Sequence, residues 1–157
     1  MYRQTMINNR SVPTNILLPH LVYTDVSAAI AWLSTVFGFS EHYRYGGEGA
    51  LTDGAQMRLG EAWIQLTRAR EDRVSPRTGG YRTQSLTIFI DDVDVHFQKV
   101  KAAGAKIVEE LHETPYGELQ YGVEDLEGHH WLFSRHARDV SPDEWGARLA
   151  GKSSAGN

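Results

Sequence analysis

Cysteine is absent from the 157 residues, which excludes at once disulfide staples, thiolate nucleophiles and sulfur-ligated zinc sites. Long apolar runs are missing too. No stretch approaches the roughly 20 residues a membrane-spanning helix needs, and the opening Met1-Tyr2-Arg3-Gln4-Thr5-Met6 lacks the apolar core of a signal peptide. A cytoplasmic protein with no membrane partner is expected. Charge of one sign is not in excess: 16 basic and 20 acidic side chains leave a net charge of −4, with no basic stripe to receive a nucleic acid. No serine sits in a Gly-x-Ser-x-Gly elbow, and Gly46-Gly47-Glu48-Gly49 lacks the Lys-Ser/Thr ending of a phosphate loop.

What the chain does have is 41% hydrophobic and 10% aromatic residues, enough for one substantial core. The apolar stretch Ile16 to Thr24 runs into Asp25-Val26-Ser27, after which Ile30, Leu33 and Phe37 recur at helical spacing before Gly38. The same order returns as Ser85 to Ile90, then Asp92-Val93-Asp94, then Phe97 and Val100 before Gly104. Ser27 and Asp94 are the expected helix N-caps. Three short strand-like stretches follow each helix: Glu41 to Tyr45, Ala55 to Leu59 and Ala62 to Arg68, then Lys106 to Glu113, Glu118 to Glu124 and His129 to Arg135.

The chain is therefore an α+β fold of two tandem βαβββ units, residues 14–68 and 82–137, in register at an offset of roughly 67 residues. Residues 69–81 form a polar connector, either a linker or a pocket lid. Residues 138–157 form a C-terminal extension, in which Ser141-Pro142-Asp143-Glu144-Trp145 predicts a short capped helix before a tail. Residues 1 to about 13 are expected to fray.

The doubled unit, with Leu21-Val22-Tyr23-Thr24-Asp25-Val26, Thr87-Ile88-Phe89-Ile90-Asp91-Asp92-Val93-Asp94 and Asp125-Leu126-Glu127-Gly128-His129, resembles the vicinal oxygen chelate superfamily. Glyoxalase I, the fosfomycin-inactivating enzymes, the extradiol dioxygenases and the bleomycin-binding resistance proteins belong to it. Gly128-His129-His130-Trp131, with His136 and Asp139 to Glu144, is similar to its PhnB-like branch. The resemblance implies curved mixed sheets that form a shared half-barrel cavity, a small-molecule ligand and a homodimer.

The resemblance also implies a divalent metal held by residues from the first and last strand of each unit. Counting from the strand-end aspartates transfers those four positions to Leu18, Gln65, Ser85 and Leu132. One amide and one hydroxyl are a poor donor set, so no cofactor is expected, and Lewis-acid chemistry is disfavoured.

Strand alternation turns His20 and His130 toward the cavity. They are the candidate catalytic residues, since imidazole titrates near neutrality; a shifted metal site using both with Gln65 is the lesser alternative. The expected ligand lining is His20, Trp63, Gln65, Ser85, Thr87, Phe89, His130 and Leu132, with Thr67 and Ser134 beside them. His129 is read as structural, Glu118 and Gln120 as solvent-exposed, and His42, His96, His112 and His136 as lacking partner spacing. Two functions follow: a metal-free protein sequestering a planar or antibiotic-like compound, or a lyase or isomerase acting through the two histidines.

Overall fold

The computed structural model describes residues 10–151. Its elements are β1 (His20–Tyr23), α1 (Val26–Trp32, continued as a π-helical turn Leu33–Phe37), β2 (Ser40–Gly46), β3 (Thr52–Leu59), β4 (Ala62–Arg68), α2 (Pro76–Gly79), β5 (Ser85–Phe89), α3 (Val93–Ala102), β6 (Lys106–Glu113), β7 (Glu118–Glu124) and β8 (His130–His136). They build two four-stranded mixed sheets ordered β1-β4-β3-β2 and β5-β8-β7-β6. In each, the first strand runs parallel to the last and the hairpins are antiparallel.

β1 is shorter than its apolar run suggests. Pro19 has no N–H to give a ladder; its carbonyl takes the Gln65 N–H at 2.8 Å, and pairing starts there. Ile16 and Leu17, with no strand beside them, stay exposed. Both helices begin two residues earlier than expected. Asp25 and Asp92, rather than Ser27 and Asp94, are the N-cap residues, and the extended Asp25 backbone lets its carboxylate accept from the Ala28 N–H at 2.9 Å. Helix α1 ends at Gly38 with φ of 89°, a left-handed conformation that favours glycine. Residues 138–151 contain one short 3-10 turn, Pro142–Trp145, whose Ser141 hydroxyl bonds Asp143 rather than capping the helix. Residues 1–9 and 152–157, the ends of the expected fraying segment and tail, lie outside the described residues.

Alternation along the strands sends one face of each sheet to the helices. Leu21, Tyr23, Ile64 and Leu66 of the first sheet and Ile88, Tyr121, Trp131 and Phe133 of the second join one buried cluster with Val26, Leu33 and Phe37. Phe37 meets Trp131 and Phe133 edge-to-face at 5.6 and 5.0 Å, so the first unit's helix packs into the second unit's sheet. Each such side chain contributes about 1.5–3 kcal/mol by burial.

A polar clasp also joins the units. Asp125, in the β7–β8 turn, accepts from Tyr23 Oη at 2.6 Å, Trp131 Nε1 at 3.0 Å and the Glu127 and His129 N–H groups. The Glu127 carboxylate accepts from the Thr24 and Asp25 N–H groups at 2.7 and 3.0 Å. Negative charge at the mouth of α1 is favourable there.

Candidate functional site

The faces turned away from the helices carry the chemistry. On the first sheet, cross-strand register aligns His20 with Gln65 and Gln65 with Gln56, and Tyr43 with Gln56. Gln56 and Gln65 are only 1% and 8% exposed, so their amides need partners. His42 Nδ1 donates to Gln56 Oε1 at 2.6 Å. Gln56 Nε2 in turn reaches Gln65 Oε1 at 3.1 Å, Tyr43 Oη at 3.2 Å and the Ser11 carbonyl at 3.1 Å. Tyr43 Oη donates to that same carbonyl at 3.1 Å. Trp63 stands one rung away, with the Arg58 guanidinium 5.4 Å above its ring and His42 edge-on at 5.4 Å. Trp63, Arg58 and His42 border a cleft of about 370 Å³ whose other wall is Arg10, Pro13 and Thr14. His42, read from the sequence as lacking partner spacing, has a partner in Gln56; the pairing was hidden because a β-bulge between Glu41 and Tyr43 breaks simple alternation.

On the second sheet, the rows are Ser85 with His130, Thr87 with Leu132, and Phe89 with Ser134. The His130 ring lies where a side chain at Gly122 would stand: a Cβ built there would be 3.1 Å from His130 Nε2. That nitrogen and Ser134 Oγ are shielded from water without a hydrogen-bond partner. Burial, then the charge of Arg82, hold His130 below the ordinary imidazole range, against the pull of Glu109 and Glu124. Gln120, expected in solvent, is 6% exposed and donates to Glu109 Oε2 at 2.9 Å. Glu118 is half-buried against His136.

The expected lining is thus gathered by sheet, not into one cavity. His20 opens on a cleft of about 390 Å³ shared with His129, the connector from Glu71 to Tyr81, and Arg82 to Gln84 ahead of β5. Trp63 borders the second cleft, while Thr87 and Phe89 border a third with the β3–β4 turn, of about 600 Å³. The joined cores hold the two sheets so that the candidate residues look into different clefts. Pairing also departs from the counted ligand positions: Gln65 faces His20, not Leu18, and Leu132 faces Thr87, not Ser85. Leu18 precedes β1. His129 donates through Nε2 to the Val22 carbonyl at 2.7 Å and packs on Tyr23. The connector carries α2 and forms a wall of the His20 cleft.

Residues 15–133 match the glyoxalase/bleomycin resistance protein/dioxygenase superfamily. The chain belongs to this superfamily. TioX from Micromonospora sp. ML1 is 35% identical, the match covering 81% of this chain and all of that one with a TM-score of 0.64. An uncharacterized protein of Mycobacterium tuberculosis is 28% identical over 139 residues, 85% of this chain and 82% of its own length. The fosfomycin resistance protein FosX from Listeria monocytogenes is 18% identical, over 85% of this chain and 99% of its own, with a TM-score of 0.58; that likeness shows the fold alone.

Within the superfamily frame, the four counted positions do not fit a divalent ion. Leu18 and Leu132 carry no donor atom, Ser85 offers a neutral hydroxyl, and the Gln65 amide oxygen is already taken by Gln56. Among the described residues, no three His, Asp or Glu side chains converge on one point, and no helix is long and apolar enough to cross a membrane.

Proposed function

We propose that this chain is a small-molecule-binding protein that works without the superfamily's metal, holding a planar compound against the face of its first sheet. The interlocked Gln56–Gln65 pair carries this reading. Where a metal ligand would be expected, two buried amides fix each other and, with Tyr43, present neutral donors beside the Trp63 ring. Such a surface suits a flat ligand with a polar edge, because the ring supplies stacking area and the amides supply direction. The chain then sequesters its ligand rather than transforming it, and it acts in the cytoplasm.

A homodimer belongs to the same proposal. Phe89, 70% exposed on the open face of the second sheet, and the edge strands β1, β2, β5 and β6 offer surfaces that a second copy would cover.

Tryptophan fluorescence tests the binding reading. Planar compounds should quench it saturably in protein whose metal content, by mass spectrometry, is below one-tenth per chain. Trp63→Phe should remove most of that quench, whereas a metal equivalent per chain or an unaltered quench in the variant would count against it.

A second reading, a lyase or isomerase, is favoured by one observation: the shielded, unpartnered His130 Nε2, on a ring whose protonation burial disfavours, is a base awaiting a donor. If this were the function, turnover found in a substrate screen should fall at least about 100-fold in His130→Ala, and His20→Ala should add to the loss.

A further inference from the structure

We propose that the first sheet recognises its ligand through a hydrogen-bond acceptor, and that the segment Arg10 to Asn15 is a built-in competitor whose Ser11 carbonyl stands where that acceptor would sit. This inference rests on the binding reading above and names the ligand's polar group. Two side-chain donors, Tyr43 Oη and Gln56 Nε2, converge on the Ser11 oxygen, each at 3.1 Å. Neither is placed by the segment itself. Gln56 is held from beneath by His42 and Gln65, and Tyr43 by the Gln56 and Gln65 amides. Two donors preorganised onto one oxygen form a recognition device for a carbonyl or carboxylate, here filled by the chain's own backbone.

Apolar burial contributes little to the hold on this segment. Val12 is 59% exposed and Ile16 and Leu17 more so; Asn15 Nδ2 adds one bond to the Glu61 carbonyl at 2.7 Å. Its Pro13 and Thr14 wall the Trp63 cleft, so its departure frees the acceptor position and widens the space beside the indole together. A planar aromatic carbonyl or carboxylate compound fits both: its ring enters the cleft beside Trp63 that Pro13 and Thr14 had walled, and its oxygen replaces that of Ser11. A tethered competitor lowers the apparent affinity by the fraction of molecules in which it has left.

The full chain, which has no cysteine, allows a single nitroxide label at Thr14→Cys. The label should be immobilised in the free protein. Titration with 2-naphthoate should mobilise it in step with the heat of binding, while 2-naphthylmethylamine, a cation with no acceptor, should do neither. Asn15→Ala weakens the segment's hold without touching the two donors, and should both mobilise the label and tighten naphthoate about fivefold, the worth of one hydrogen bond. Tyr43→Phe should free the label yet weaken naphthoate. Gln56→Leu should do the same, and Tyr43→Phe carries the test if that buried change impairs folding. Naphthoate binding with the label still immobile and Asn15→Ala neutral would overturn the competitor while leaving the binding reading intact. Absence of naphthoate binding even in Asn15→Ala would overturn the acceptor-directed site.

Discussion

At the scale of single residues, the role of a polar side chain is fixed by the geometry of its partners. His96 donates through Nε2 to the Phe37 carbonyl at 2.8 Å, so its Nδ1 is left to accept from Tyr121 Oη. The ring therefore ties α3 to the end of α1 and to β7 as a neutral group. Burial holds its pKa below the ordinary imidazole value, outweighing the carbonyl bond that raises it. The sign follows from linkage: below about pH 6.5 the unfolded chain takes up a proton that folded His96 refuses, so its stabilising contribution is complete above that value and lost as pH falls. His136, exposed and raised by Glu118 and Asp139, has the opposite sign. It favours the fold below the ordinary value, and that contribution fades as pH rises. Thermal melts between pH 7.5 and 5 should show a fall in Tm on acidification that is shallower in His96→Gln and steeper in His136→Asn. An unchanged slope in His96→Gln would assign the acid sensitivity elsewhere.

At the scale of elements, the β7–β8 turn acts on α1 from more than a hundred residues away in the chain. Glu127, 5% exposed, satisfies the Thr24 and Asp25 N–H groups just ahead of the helix. Glu127→Ala leaves both donors short of a partner and should destabilise the fold by about 1–3 kcal/mol, measured by urea denaturation. Glu127→Gln, which retains one acceptor oxygen, should cost less. A loss equal in both variants would point to the charge, not the bonds.

The strands themselves were legible in the sequence because alternation, turn residues and the 67-residue repeat agreed; β4, β6 and β7 begin and end where that pattern sets them. The helix starts were misplaced by two residues because Asp25-Val26-Ser27 and Asp92-Val93-Asp94 each offer two capping side chains. Only the backbone shows which one stands just ahead of the first helical turn.

At the scale of the whole molecule, what alternation could not show was the relation between the units. Parity turned His20, Gln65, Thr87, His130 and Leu132 to the faces away from the helices, and the register agrees. Parity is silent on whether two faces meet. The meeting is decided by long-range packing of Phe37 on Trp131 and by the Asp125 and Glu127 clasp, and these leave the two faces on separate clefts. The bulge that brings His42 onto Gln56 and the backward course of Arg10 to Asn15 over Tyr43 were equally invisible to periodicity. Since the units share one core, they should unfold together, with far-ultraviolet circular dichroism and tryptophan emission giving coincident transitions.

The central claim is that the first sheet binds its ligand with amides and an indole in place of a metal. Isothermal titration of a quenching planar compound, carried out in EDTA and again with added manganese or zinc, tests it most directly. The account predicts one Kd under all conditions and at least a tenfold loss in Gln65→Leu. Binding that appears only when the metal is supplied would contradict it.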